Sequence, residues 1–242
     1  MKSLHWMALM ALLGLAMSAV AKPKLTIATS QYPPFEYLEN RQVVGEDTVL
    51  IRRAVEMMGY EADIAMMPWA RAEIEVGSGD RAMIYSLTYS EQRNERYYFS
   101  EPINQVRDVF FRRKGDSVDW EDLDDLAGKV IGISSAYSYA PEFMAWMQEG
   151  RAYFSPVSHD EPELTNLRML AFGRIDLFIC EISVCRYIIH QHQDEFPELR
   201  ELEAIPRTVG AVRAFRAGFS RQLPQGRRLR DDFNRALKQL RH

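Results

Sequence analysis

Histidine and cysteine, the residues that most often bind metals or act as nucleophiles, are few in this chain, with five and two among 242 residues. His190 and His192 lie two positions apart on a predicted helix, so their side chains point to different faces and are badly placed to share a metal ion. The sequence also lacks a glycine-rich phosphate loop, a nucleophile elbow and a paired-cysteine zinc site. We therefore expect no metal, no cofactor and no catalytic residue.

The two cysteines, Cys180 and Cys185, are near enough in sequence for one turn to decide whether they pair. Cys180 ends an apolar, strand-like run, and Cys185 falls in the next helical segment. In an oxidising compartment they can form a disulfide if that turn brings their Cα atoms within about 7 Å. The alternative is that both are small buried hydrophobic residues, and the sequence leaves both readings open.

The N-terminal segment predicts export from the cytoplasm. Lys2 precedes an apolar run over 6–20, and an Ala-Val-Ala sequence ending at Ala21 supplies the small residues of a signal peptidase site. The apolar run is shorter than the roughly 20 residues of a membrane-spanning helix. We expect a signal peptide over 1–21, cleaved near Ala21, and a periplasmic protein.

The charge balance bears on the partners of the exported chain. The sequence has 30 Lys and Arg against 34 Asp and Glu, and removing Lys2 with the signal peptide changes the balance to 29 minus 34, or −5. This acidic excess argues against a nucleic-acid partner. The remaining chain of about 220 residues is expected to be a soluble, globular monomer of one large or two small domains.

Strands and helices alternate along the exported chain, which favours an α/β fold with mainly parallel sheets. Short apolar runs predict strands over 25–29, 63–67, 83–87, 129–134 and 175–180. Apolar residues at helical spacing predict helices over 47–58, 161–172 and 227–240, and others beginning near Trp69, near Ala140 and after the last predicted strand. Two more segments, 106–113 and 209–219, are predicted to be extended.

Four segments, taken in order and with their spacing, carry a resemblance to a known family. They are IATSQYPPFEY after the first predicted strand, SLTYSEQRNERYYFSEP in the middle, DLAGKVIGISSAYSY opening the second half, and LAFGRIDLFICEISV later. With these segments the chain resembles the amino-acid-type extracellular solute-binding proteins that are usually paired with ABC importers. The additional MPWARA segment is similar to a PWxRA-containing subgroup of that family.

The resemblance implies a type II periplasmic-binding-protein fold. Two α/β lobes, each a mainly parallel sheet flanked by helices, close on the ligand by a hinge motion. They are joined by two crossover strands, which would be residues 109–113 and a segment near 202–212. The first lobe would take residues 22–108 with 208–242 returning to it, and the second lobe would take 109–207. The implied ligand site, between the lobes, agrees with the rule that open α/β sheets bind ligands at the carboxyl ends of their strands.

In the first lobe the resemblance implies that Arg93 binds the ligand's carboxylate, because it occupies the arginine of a T-x-[ST]-x-x-R pattern. A guanidinium presents a planar pair of donors that fits a carboxylate, whereas without the pattern an ordinary surface charge would be the simpler reading. Thr88 would add a hydroxyl and a backbone N–H to the same anion. Tyr32 and Trp69 match aromatic positions on the cleft wall, although Trp69 could equally anchor the core.

The ligand's ammonium group would meet both lobes. Tyr85 and Ser86 match backbone contacts to that group in the first lobe. Glu181 of the second lobe falls where the family usually has an aspartate that accepts hydrogen bonds from the ammonium group. An acid that begins a helix is a second, compatible reading of Glu181.

A serine-rich loop of the second lobe completes the implied site. Ser135, Tyr137 and Ser138 match a loop whose hydroxyls and N–H groups approach the ligand's carboxylate. Ala136 replaces the glycine that is common there, and Tyr137 would reach further into the cleft than the usual threonine. Both departures predict a ligand that differs from the familiar ones.

These features predict a binding protein and not an enzyme. Its ligand would be an amino acid or a related zwitterion, and its partner a separate ABC permease or membrane receptor. Two alternatives exist on the same fold. One is a periplasmic cyclohexadienyl-dehydratase-like enzyme, in which Glu181 would protonate a leaving hydroxyl, and the other is a ligand-sensing module for a membrane partner.

Overall fold

The computed structural model describes residues 21–118, 120–135, 137–159 and 161–241. Ala136 and the predicted signal peptide, apart from Ala21, lie outside the described residues. The strands are β1 (Lys24–Thr29), β2 (Tyr37–Glu39), β3 (Gln42–Val44), β4 (Glu61–Met66), β5 (Met83–Thr88), β6 (Tyr97–Val106), β7 (Asp108–Arg113), β8 (Val130–Ser134), β9 (Tyr153–Val157), β10 (Leu177–Glu181), β11 (Leu202–Thr208) and β12 (Arg213–Ser220). The α-helices are α1 (Glu46–Met57), α2 (Trp69–Ser78), α3 (Glu91–Asn94), α4 (Pro141–Gln148), α5 (Pro162–Ala171), α6 (Ile182–His192) and α7 (Gly226–Leu240).

The first lobe is built on a five-stranded sheet with the order β4-β1-β5-β12-β6. Strand β1 pairs in parallel with β4 and with β5, while β12 runs antiparallel to both of its neighbours. Parallel neighbours need a crossover connection, and α1 and α2 lie in the two connections that join these strands. The carboxyl ends of β1 and β5 therefore meet at one edge of the sheet.

The second lobe repeats this arrangement in a sheet with the order β11-β7-β10-β8-β9. Strand β8 pairs in parallel with β9 and β10, and β7 pairs antiparallel with β10 and β11. Helix α4 connects β8 to β9, and α5 connects β9 to β10. The predicted α/β class with two lobes is confirmed. The sheets are mixed rather than mainly parallel, since each has two parallel and two antiparallel pairings.

The chain passes between the two sheets at two short connections. Arg107 alone separates β6 of the first sheet from β7 of the second, and residues 209–212 join β11 to β12. The residues 109–113, which were predicted as a crossover, lie inside β7 of the second sheet.

The helices of the first lobe bury the faces that the sequence spacing predicts. Helix α1 buries Ile51 and Val55, and α7 buries Leu229, Phe233 and Leu237. Residues four apart lie on one face of a helix, which explains both sets.

The second lobe has an aromatic cluster under its sheet. Its largest members are Phe110, Trp120, Tyr139, Phe143 and Trp146. Among the helices that the structure describes, none combines the length and apolar character of a membrane span.

A disulfide joins Cys180 near the end of β10 to Cys185 in the first turn of α6, with the Cα atoms 6.3 Å apart. The turn between strand and helix therefore brings the cysteines within bonding range, which answers the question that the sequence leaves open. The bond spans Glu181, the residue that ends β10 and precedes α6. It ties the first turn of α6 to the strand end that carries this acid.

Removing this disulfide is expected to lower the free energy of unfolding by about 2 kcal/mol, the chain-entropy value for so short a loop. Urea denaturation of the oxidised and reduced protein measures the difference. The Cys180→Ala/Cys185→Ala double variant is the control, because it lacks both the bond and the thiols. Equal stability of the oxidised protein and this variant would show that the bond contributes nothing.

Candidate functional site

A cavity of about 50 Å³ lies between the two lobes and is lined by residues of both. Ser30 follows β1 and Thr88 ends β5 in the first lobe, while Ser134 ends β8 and Glu181 ends β10 in the second. All four strands belong to parallel pairs, so the cavity lies at the carboxyl ends of parallel strands in each sheet, where α/β folds bind ligands.

Most of the predicted site residues line this cavity: Tyr32, Trp69, Ser86, Thr88, Arg93, Tyr137, Ser138 and Glu181. Tyr85 does not. Its side chain is fully buried in the first lobe, and its hydroxyl lies 2.8 Å from the Thr48 hydroxyl. Ser86 lines the cavity, whereas Tyr85 belongs to a buried hydrophobic core. Ser135 lies in the wall of an outer chamber.

Arg93 is held in place by the first lobe itself. Its Nε donates to Glu73 Oε1 at 2.8 Å, and its Nη1 donates to the backbone oxygen and the hydroxyl of Thr88 at 3.1 and 3.0 Å. Both charged side chains are largely buried, with 7% of Arg93 and 13% of Glu73 exposed. Within the described part of the chain Nη2 makes no hydrogen bond, so this nitrogen is available to an anion in the cavity.

Trp69 offers a second donor beside this guanidinium. The carbon Cζ of Arg93 lies 5.6 Å from the centre of the Trp69 ring. The indole Nε1 is buried and has no hydrogen-bond partner among the described residues. A buried N–H without a partner is energetically costly, and a ligand oxygen would satisfy it. Trp69 therefore contributes both a wall and a donor.

Glu181 is the N-cap of α6. Its Oε2 accepts hydrogen bonds from the backbone N–H groups of Ser183 and Val184 at 2.6 and 3.0 Å, and its Oε1 accepts a longer one of 3.4 Å from Arg107. Burial raises the pKa of this carboxyl, while the three backbone donors act in the opposite direction. The helix-capping role of Glu181 is thus observed, and Oε1 keeps capacity for a stronger donor.

Aromatic side chains close the cleft from both lobes. The ring of Tyr32 meets the edge of Tyr137 with 5.7 Å between centroids, and it packs on Phe215 at 6.0 Å. Tyr37 contacts Tyr187 of α6 at 5.7 Å. These contacts bring the lobes together over the cavity.

Arg213 joins the lobes by charge. It begins β12 of the first sheet, donates from Nη1 to the backbone oxygen of Ser138 at 2.7 Å, and forms an ion pair with Asp108 of β7. The side chains of Arg213 and Asp108 are 14% and 5% exposed. The sequence gives no sign of this pair, because its members are 105 positions apart.

Two carboxyl groups share one serine in the first lobe. Ser86, in the left-handed backbone region at φ 58°, places its Oγ 2.7 Å from Glu36 Oε2 and 2.7 Å from Asp47 Oδ2. A hydroxyl donates one proton, so both contacts are hydrogen bonds only if one carboxyl is protonated. Burial raises the pKa of both carboxyls, and the charge of Asp47 adds to the rise for Glu36, whose pKa lies well above its usual value. Glu36 lines the cavity and was missed from the sequence.

Glu163, the second residue of α5, is another cavity residue that the sequence analysis missed. Its side chain is buried, and Oε1 has no hydrogen-bond partner among the described residues. Burial raises the pKa of this carboxyl to about 7, while the neighbouring hydroxyls of Tyr137 and Ser134 act to lower it. An acid in the first turn of a helix is ordinarily a surface feature, so only the fold reveals that this one faces a cavity.

A wider chamber of about 710 Å³ lies outside the cavity and shares Ser30, Trp69 and Tyr137 with it. Its walls include Met66, Met67 and residues of both lobes. Tyr137 therefore stands between the inner cavity and the outer chamber. In the part of the chain that the structure describes, no group of three or more His, Cys, Asp or Glu side chains is arranged to hold a metal ion.

Comparison with known proteins agrees with this geometry. The family described as bacterial extracellular solute-binding proteins, family 3, matches residues 25–242. The arginine-binding extracellular protein ArtP of Bacillus subtilis (strain 168) is 25% identical over 234 residues, which is 92% of this chain and 83% of ArtP.

Two solved structures share the fold. A histidine kinase sensor domain with similarity to periplasmic binding proteins has a TM-score of 0.76 at 22% identity and covers 90% of each chain. An ancestral arginine-binding protein bound to arginine has a TM-score of 0.76 at 18% identity and covers 91% of this chain and 93% of its own. At these identities the likeness establishes the architecture alone.

Proposed function

Since this chain belongs to the bacterial extracellular solute-binding proteins, family 3, we propose that it captures an amino acid or a related zwitterion in the periplasm by closing its lobes. The captured ligand would pass unchanged to an ABC permease. ArtP, a relative that spans most of the chain, is named for binding arginine, which supports an amino acid as the ligand.

One observation carries this proposal: among the described residues that line the cavity, a buried N–H donor without a partner lies on the first lobe and a buried carboxyl oxygen without one lies on the second. The donor is Trp69 Nε1, beside the guanidinium of Arg93, and the acceptor is Oε1 of Glu163, to which Glu181 adds a weakly engaged oxygen. A zwitterion has an anionic and a cationic end. Bound with its carboxylate toward Arg93, it would satisfy both walls at once.

A ligand that contacts both lobes would favour closure of the cleft. A ligand shifts a two-state equilibrium only by its difference in affinity for the two states. A zwitterion that bridges the lobes gains its second set of contacts only when the cleft is closed, so it favours the closed state. A ligand lacking either charge would leave a buried group unpaired and would be rejected.

The two lobes would move as units about the connections that join them. We take the first lobe as 22–106 with 213–242 and the second as 108–208, with bending at Arg107 and at residues 209–212, where the chain passes between the sheets. The protein would act as a monomer after loss of the signal peptide 1–21.

Thermal melting of the exported chain against a panel of ligands tests this function. The panel contains amino acids, polyamines, dicarboxylates, short peptides and cyclic acids. A true ligand at a hundred times its Kd adds about 2.7 kcal/mol to the stability of the folded state, which raises Tm by roughly 5 to 10 °C for a chain of this size. We expect zwitterionic amino acids to give this shift and to be recovered chemically unchanged. A shift with dicarboxylates or cyclic acids and none with zwitterions would contradict the proposal.

A further inference from the structure

Glu163 differs from the other acids of the cavity in that one of its carboxyl oxygens, Oε1, has no hydrogen-bond partner among the described residues, although the hydroxyls of Tyr137 and Ser134 neighbour the carboxyl. Glu181 caps α6, Asp108 pairs with Arg213, and Glu36 bonds to Ser86. Glu163 is equally buried, with 4% of its surface exposed, yet its Oε1 has no partner among the described residues. A buried acceptor left in this state is costly, so its partner is expected to come from the ligand.

Among the described residues that line the cavity, no positive side chain pairs with Glu163. The basic residues that line the cavity are Arg93 and Arg213, and each is already bound to a carboxylate, Glu73 for the first and Asp108 for the second. The cavity thus holds more acid than base. This imbalance favours a ligand that brings more positive than negative charge.

The surroundings of Glu163 also suit a cation. Tyr137, whose hydroxyl neighbours the carboxyl, packs its ring against Tyr32 from the other lobe. A flat cation such as a guanidinium is stabilised by hydrogen bonds to a carboxylate and by contact with aromatic faces. Tyr137 also lines the outer chamber, so it lies at the boundary between the inner cavity and that chamber.

We propose that Glu163 binds a positively charged side-chain group of the ligand and makes the cleft selective for basic amino acids over neutral ones of the same shape. This inference rests on the proposed capture of a zwitterion and adds a second cation to it. Arg93 and Trp69 would hold the carboxylate, Glu181 the α-ammonium group, and Glu163 the distal cation.

Titration calorimetry with L-arginine and L-citrulline tests the assignment, because citrulline has nearly the same shape with an uncharged ureido group. The wild-type chain is expected to bind arginine about 10- to 100-fold more tightly than citrulline, the range for hydrogen bonds to a charged group. Glu163→Gln keeps the shape of the side chain and removes its charge. In this variant the preference is expected to fall below about 3-fold through loss of arginine affinity.

Glu195→Gln is the matched control, because Glu195 is an acid of the same lobe with 69% of its side chain exposed. It should keep the wild-type preference. An unchanged arginine preference in Glu163→Gln would overturn the inference, and so would equal binding of arginine and citrulline by the wild-type chain, a comparison that needs no variant.

Binding of other amino acids separates the role of Glu163 from the proposed capture of a zwitterion. If neutral amino acids bind and arginine does not, the role of Glu163 is refuted while capture of a zwitterion stands. If no zwitterion binds at all, the proposed function falls and the inference falls with it.

Discussion

Replacing Arg93 by alanine is expected to lower the free energy of unfolding by about 3 to 5 kcal/mol even without ligand, the range for removing one partner of a buried ion pair. The substitution leaves the carboxylate of Glu73 largely buried with its nearest remaining cation, Arg96, 3.9 Å away and 38% exposed. It also removes the bonds to Thr88 and the contact with Trp69. Urea denaturation of both proteins measures the loss.

The double variant Arg93→Gln/Glu73→Gln separates the uncompensated charge from the lost contacts. It neutralises both partners with side chains of similar shape, so no buried charge stays unpaired. Its stability is expected to return to within about 1 kcal/mol of the wild type. Equal stability of Arg93→Ala and the wild type would show that the Arg93–Glu73 ion pair contributes nothing measurable to the free energy of unfolding.

The variant Glu163→Gln is expected to gain stability over the wild type, by about 3 kcal/mol, as the pH rises from 4.5 to 8. Burial raises the pKa of Glu163 from 4.5 to about 7 in the folded protein. Each pKa unit is worth about 1.4 kcal/mol. Between these pKa values the folded state holds a proton that the unfolded state has released, so wild-type stability falls as pH rises through this window. Glutamine does not titrate and escapes this loss.

Urea denaturation at several pH values, without ligand, measures this difference. The groups that face Glu163 and enter its pKa are Tyr137, Ser134 and Glu161, and all three are unchanged in the variant. Glu195→Gln again provides the control, with an exposed acid whose removal is expected to shift the profile far less. A difference between Glu163→Gln and wild type that stays constant from pH 4.5 to 8 would contradict the buried, proton-binding state of Glu163.

Sequence patterns locate most helices and central strands within one or two residues, because apolar periodicity reports burial directly. They do not predict β9, and they recover only the end of β6. Both lie at the edges of their sheets and contain a proline, Pro156 and Pro102. An edge strand tolerates proline and has no need of regular alternation, so neither leaves a clear pattern.

Some residues of the candidate site can be predicted from a sequence motif, and others are brought together only by the fold. Arg93 and Thr88 lie in one short motif, and the sequence alone can propose them. Glu73 lies 20 positions before Arg93 and pairs with it only because α2 and α3 are brought together by the fold. Glu36 and Glu163 carry no motif, and what distinguishes them is their burial beside the cavity, which only the fold reveals.

Titration calorimetry of Arg93→Gln/Glu73→Gln, with the amino acid that gives the largest thermal shift, tests the site most directly. Arg93 is expected to be the main cationic partner of the ligand's carboxylate, so the wild-type chain should bind one molecule per chain and the double variant should bind at least about 30-fold more weakly, the lower limit for breaking a buried charge pair. A folded double variant that binds the same amino acid within about 3-fold of the wild type would show that the carboxylate is held elsewhere.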